Sequence, residues 1–172
     1  MDEQLKNVFT NINDWLKFAE TKTATLLTGN GLLIFGILRT IKGQEISSTQ
    51  MSIIHFVLLM LILSLLICLI SFIPSLKLPW LVTSKKPTES DNLLFFGDAA
   101  KYDSKSYLEK LFSSTEKPER SFTAIEKYYA EQIIANSIIA LKKFRLFSFA
   151  IWLTVIAVLT LILTFLLTTK GL

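Results

Sequence analysis

The chain is poor in the side chains on which most enzymes rely. It has one cysteine, Cys68, and one histidine, His55. A lone cysteine excludes an internal disulfide and a thiolate metal cluster. A zinc site of the His/Cys type lacks its ligands, and Ser-His-Asp and Cys-His mechanisms lose ground on the same shortage. There is no glycine-rich phosphate loop followed by Lys-Ser/Thr, and no strand-Gly-x-Gly-x-x-Gly-helix fingerprint. The expectation is a protein that is not an enzyme and holds no metal or cofactor. Charge is scarce too. Charged residues make up 19% of the 172 residues against 51% apolar, and mean hydropathy is +0.49. Those values exclude a disordered chain and disfavour an ordinary soluble domain.

The apolar residues are clumped. No Asp, Glu, Lys or Arg lies between Glu45 and Lys77, and inside that gap 53–73 reads IIHFVLLMLILSLLICLISFI. A second uncharged run, LFSFAIWLTVIAVLTLILTFLLTT, lies between Arg145 and Lys170. Each is long enough to cross a hydrocarbon core of ~30 Å as a helix. A third run, 23–38 (TATLLTGNGLLIFGIL), is shorter; it covers ~24 Å at ~1.5 Å per residue. Lys22 and Arg39 can snorkel to the two interfaces and complete the span. The first 20 residues have no apolar core of the signal-peptide kind. Instead Leu5, Val8, Phe9, Ile12, Trp15, Leu16 and Ala19 recur at helical spacing. This predicts an amphipathic helix lying on the membrane or against the cytosolic part.

The fold class expected is an all-α membrane protein with three transmembrane helices. Residues 1–21 form the amphipathic helix, 22–42 the first span, 43–51 a short external loop and 52–74 the second span. Residues 75–145 are a small helical cytosolic segment, and 146–169 are the last span. Fifteen of the 18 Lys and Arg residues fall before the uncharged run 23–38 or between the second and third spans. The positive-inside rule then puts the N-terminus and residues 75–145 in the cytoplasm and the C-terminus outside. The net charge of +4 is thus a topology signal and does not call for nucleic acid. Trp80 and Trp152 suit the membrane interfaces; His55 and Cys68 read as structural.

In the cytosolic segment, Pro74, Pro79 and Pro87 favour an extended or turning start, with Lys85 to Ser90 an exposed linker. LLFFG at 93–97 is an apolar patch closed by glycine, and Tyr107, Leu108, Leu111 and Phe112 share a helical face. A break is expected over 113–118. This is too little chain for an independent core, so it must pack on the N-terminal helix, the helix that follows or a second subunit. From Glu119 to Lys170 there is no proline or glycine, and Thr123 and Glu126 fit a capping box. A continuous helix from about Ala124 to Leu167 is predicted, ~65 Å long at ~1.5 Å per residue.

One stripe of that helix is Phe122, Ile125, Tyr129, Gln132, Asn136, Ile139 and Lys143. Two roles fit the amides: setting register or oligomer state, or hydrogen-bonding a base stacked on Tyr129. Lys142, Lys143 and Arg145 either anchor the chain at the membrane mouth or clamp a phosphate. Gly29, Asn30 and Gly31, inside the first span, serve either helix packing or gating. Glu20 and Lys22 form an ion pair or the solvated end of a helix.

These residues resemble a known family. Asp14-Trp15-Leu16, Ala19-Glu20-Thr21-Lys22-Thr23-Ala24, Leu27 and Asn30-Gly31 are similar to the opening of the Pycsar transmembrane effectors. Leu93 to Gly97 with Tyr107-Leu108 resembles that family's short cytosolic motif. Tyr129-x-x-Gln132-Ile133-x-x-Asn136-Ser137-x-Ile139-Ala140-x-x-Lys143-Phe144-x-Leu146 resembles the helix before its last span. The chain departs from the pattern at Glu20, where the family has Asp, and at Thr23, which separates Lys22 from Ala24.

The resemblance implies bacterial antiphage defence by abortive infection. A partner cyclase makes cyclic CMP or cyclic UMP, and the effector then impairs the inner membrane and halts growth. The ligand contacts expected in residues 75–145, read as the ligand-sensing region, are Tyr129, Gln132, Asn136, Lys143 and Arg145, with Lys22 a phosphate partner; stacking on Phe95 or Phe96 is equally open. A homo-oligomer is expected, because three spans cannot enclose a pore alone. The competing readings are a ligand-independent holin-like protein and a membrane scaffold for a partner protein.

Overall fold

The computed structural model describes residues 2–73, 86–113 and 121–169. Pro74, Pro79, Trp80, Lys85 and the expected break over 114–118 lie outside the described residues. Among the described residues five helices follow one another: α1 (Asp2–Ile41), α2 (Ser48–Phe72), α3 (Phe96–Ala99), α4 (Ser104–Phe112) and α5 (Ala124–Thr169). There is no strand among the described residues. Three helices, α1, α2 and α5, are long and apolar enough to cross a membrane.

The helix ends follow from local chemistry. α1 runs through the residues read as two segments, 1–21 and 22–42, without a break. Nothing at Thr21-Lys22-Thr23 stops a helix, and Thr25 and Thr28 return their hydroxyls to the carbonyls of Thr21 and Ala24. Beyond Ile41, Gly43 turns the chain at φ 83°, a left-handed conformation that suits glycine. α2 opens with a capping box that the sequence reading did not single out. Ser47 N–H donates to Gln50 Oε1 (3.1 Å), and Gln50 N–H to Ser47 Oγ (3.3 Å). The box read at Thr123 and Glu126 is present: Thr123 N–H donates to Glu126 Oε2 (2.9 Å) and Glu126 N–H to Thr123 Oγ1 (3.3 Å). It absorbs a carboxylate only 1% exposed. From there α5 continues for 46 residues, through Phe147 and Ser148, without interruption.

The chain divides into two compact units. The first comprises residues 1–20 and 75–144. Its core joins Leu5, Val8 and Ile12 of α1 to Phe96, Tyr107, Leu108 and Phe112 and to Ala130, Ile133 and Ala140 of α5. The amphipathic face of α1 therefore covers α3 and α4, and the two long helices supply the apolar area that these short helices lack. Tyr107 is fully buried and donates its hydroxyl to the Leu93 carbonyl at 2.9 Å. Phe96 stacks on Phe144 at 5.0 Å, and Trp15 lies against both rings. Gly97 leaves room for the Phe95 ring, which a Cβ there would approach to 2.5 Å.

The second unit comprises residues 21–74 and 145–172. Val57, Leu61 and Ala157 are buried at its centre, flanked by Ile34, Ile37, Ile53, Met60 and Leu161. Large apolar side chains such as Leu32, Phe35, Phe149 and Trp152 face outward, each more than three-fifths exposed. Outward apolar faces are what a hydrocarbon surrounding requires, and helices satisfy their own backbone there.

Candidate functional site

The membrane unit gathers buried polar side chains of all three long helices at one level. Asn30 of α1 has no exposed surface, and neither has Ser64 of α2; Thr154 of α5 is 9% exposed. Asn30 Nδ2 donates to Ser64 Oγ at 2.8 Å, and Ser64 Oγ donates to the Ala150 carbonyl at 2.7 Å. Thr154 Oγ1 donates to Asn30 Oδ1 at 3.0 Å. Ser64 Oγ and Thr154 Oγ1 also lie 3.0 Å apart. One polar side chain from each span thus meets its partners in a single node. Unpaired polar groups in hydrocarbon are costly, so the node favours one arrangement of the three helices.

The neighbouring glycines are placed differently. A Cβ on Gly29 or Gly31 would meet nothing within 4 Å. Among the described residues neither glycine brings another helix close, and the contacts at this level belong to Asn30. Ser64 and Thr154 were not singled out from the sequence. Their only signal is a hydroxyl amid apolar residues, which in a membrane helix usually turns back on its own backbone.

The α5 stripe lies in the first unit, and α1 meets three of its residues. Tyr129 meets Phe9 edge-on at 5.9 Å. Asn136 Nδ2 donates to Asn13 Oδ1 at 2.7 Å. Lys143 Nζ pairs with Glu20 Oε1 at 3.1 Å, its own side chain 14% exposed. The Glu20 carboxylate, read either as a partner for Lys22 or as part of a solvated helix end, meets Lys143. Gln132 is exposed. Lys22 and Arg145 belong to the membrane unit; the Lys22 ammonium sits 5.6 Å from the Phe147 ring centroid. Tyr129, Gln132, Asn136 and Lys143 are thus in one unit, and Lys22 and Arg145 in the other.

A second polar cluster, also not anticipated, holds the loop before α4. Asp91 accepts from Thr88 N–H (2.8 Å), Thr88 Oγ1 (2.6 Å), Lys101 Nζ (2.7 Å) and Tyr102 Oη (3.0 Å). Asp98 accepts from Asn92 N–H at 3.1 Å and pairs with Lys101 at 2.6 Å. The Lys101 hydrogen bond, followed by those from Thr88, holds the Asp91 carboxyl far below the usual carboxylate range. The same bonds to Asp91 and Asp98 push the Lys101 ammonium up. At the start of α4, Asp103 caps the helix through Lys105 and Ser106 N–H, and Ser106 Oγ donates to Asp103 Oδ2 at 2.6 Å.

No curated protein and no solved structure matches the chain. A family pattern does, and it spans both units: residues 4–169 match PycTM, the Pycsar effector protein domain, so the chain belongs to that family and has a role in the Pycsar antiphage system.

Proposed function

We propose that the protein is a non-enzymatic membrane effector switched on by a cyclic pyrimidine nucleotide, cyclic CMP or cyclic UMP. The observation that carries this reading is the Pycsar effector match over residues 4–169. Membership in that family implies a cyclic nucleotide signal from a partner cyclase. Three apolar helices fit a multi-pass protein in a bilayer. The membrane proposed is the bacterial inner membrane, with residues 1–21 and 75–145 in the cytoplasm and the C-terminus in the periplasm.

The mechanism proposed follows from differential binding. Nucleotide bound in the cytosolic unit favours a rearranged state by its higher affinity for that state. α5 is one helix from Ala124 to Thr169, so a displacement of its cytosolic turns is carried into its membrane turns. Breaking the Asn30–Ser64–Thr154 node then exposes polar groups to the bilayer. Several chains assemble to cover them and line a leak, since three spans alone enclose no pore.

The reading is tested in bacterial cells that express the chain beside a pyrimidine cyclase. A membrane-potential dye reports depolarisation and growth arrest with the active cyclase, and neither with a cyclase inactivated at its catalytic site. Depolarisation in both cultures points to a holin-like protein. Depolarisation in neither, with the chain shown to be inserted, points to a scaffold.

A further inference from the structure

The cytosolic unit has a cleft of about 420 Å³ bounded by Thr88, Glu89, Tyr102, Ser106, Glu109 and Lys110, a size typical of small-molecule sites. Its walls are fixed before any ligand arrives. The Asp91 cluster ties Thr88 to Lys101 and Tyr102 across the loop, and the Asp103 cap sets the first turn of α4. Preorganised walls lower the ordering cost of binding.

The polar groups of the cleft divide sharply by kind. Lys110 is the one cation among the described residues that line it. The ammonium donates to the Thr88 carbonyl and lies 5.6 Å from the Tyr102 ring centroid. With three N–H groups, it has a donor to spare for an anion. The hydroxyls are committed as donors: Thr88 Oγ1 to Asp91, Ser106 Oγ to Asp103 and Ser113 Oγ to the Lys110 carbonyl. Toward a ligand they offer lone pairs, as do the carboxylates of Glu89 and Glu109. A molecule that suits this set carries one anionic group and several hydrogen-bond donors.

We propose that this cleft is the nucleotide site, with the cyclic phosphate on Lys110 and the ribose 2′-hydroxyl and cytosine amino group on the acceptors around it. Cytosine presents two amino hydrogens where uracil presents one ring N–H, so the acceptor-rich lining prefers cyclic CMP to cyclic UMP. The inference rests on the activation reading above and moves the ligand from the α5 stripe, whose Tyr129, Asn136 and Lys143 already contact α1, to the loop–α4 face.

The test uses the full chain in lipid nanodiscs, with calorimetric titration of cyclic CMP and cyclic UMP. Binding of cyclic CMP tighter than cyclic UMP is expected, and Lys110→Gln weakens it about tenfold or more, the loss of one charge-assisted hydrogen bond. Gln132→Ala, on the exposed part of the stripe, leaves it unchanged. Because Lys110 also holds Thr88, wild-type protein supplies a second readout. Bound cyclic CMP slows acylation of Lys110 by an amine-reactive reagent and spares Lys105, whose side chain is 82% exposed. Wild-type binding with Lys110 acylated at the same rate overturns the site and leaves the activation reading intact. Cyclic UMP binding as tightly as cyclic CMP overturns the assignment of the amino group. If neither nucleotide binds wild type, the activation reading fails, and this site with it.

Discussion

Asp91 shows how much one side chain carries when the surrounding core is small. Its carboxylate is 3% exposed and ties Thr88, Lys101 and Tyr102 together. Its folded pKa lies below its unfolded value. The stability it contributes is therefore present above the unfolded pKa of about 4 and is lost as pH falls through the folded one. Lys101 has the opposite sign: its raised pKa contributes stability that fades only above about pH 10. Thermal unfolding of the wild type in detergent is predicted to hold its midpoint across that window and to fall in acid. Asp91→Asn lowers the midpoint at pH 7 and flattens the acid fall; identical profiles for the two proteins contradict the assignment. Little of this was legible in the sequence. Asp91, Asp98 and Lys101 read as ordinary surface charges, because spacing along a loop does not say which donors the fold will gather. The α5 stripe shows the converse. Spacing of three and four placed Tyr129, Asn136 and Lys143 on one face, yet periodicity cannot say whether a ligand or another helix covers that face. Here α1 meets Tyr129, Asn136 and Lys143 through Phe9, Asn13 and Glu20, and Gln132 stays exposed.

Among the elements, the three membrane helices are joined by a node whose parts depend on one another. Removing Asn30 leaves Ser64 and Thr154 without their side-chain amide partner in an apolar setting. Asn30→Ala is predicted to destabilise the membrane unit by about 1–2 kcal/mol, within the range for polar contacts between membrane helices. Replacing all three residues by apolar ones (Asn30→Leu, Ser64→Ala, Thr154→Val) costs less than the sum of the single changes, because no orphaned polar group remains. Unfolding in mixed micelles measures this, and strictly additive effects contradict a shared node. The spans themselves were plain from the uncharged runs in α2 and α5, whose composition permits little else. The unbroken passage of α1 from Asp2 to Ile41 was less so. The amphipathic pattern ends near Ala19 and the apolar run begins at Thr23, so the change of surroundings looks like a boundary although the backbone has no reason to stop. Ser64 and Thr154 went unread because a hydroxyl in a membrane helix carries no mark of what it faces.

At the scale of the whole molecule, the chain comprises one unit of short helices and loops packed on the ends of long helices and a second unit of apolar helices. One unit holds the Asp91 loop and the preformed cleft; the other presents apolar faces and buries Asn30, Ser64 and Thr154. This division was legible because membranes constrain composition more strongly than water does. The assembly was not, since a lipid-facing surface and an interface between copies can share the same apolar residues. The central claim is that the barrier stays sealed until a cyclic pyrimidine nucleotide binds. Ion flux through liposomes reconstituted with the purified protein tests it most directly, with cyclic CMP, cyclic UMP, cyclic AMP and no nucleotide compared side by side. Flux only with a cyclic pyrimidine nucleotide is predicted. Equal flux in all four conditions, or none in any with the protein folded and inserted, contradicts it.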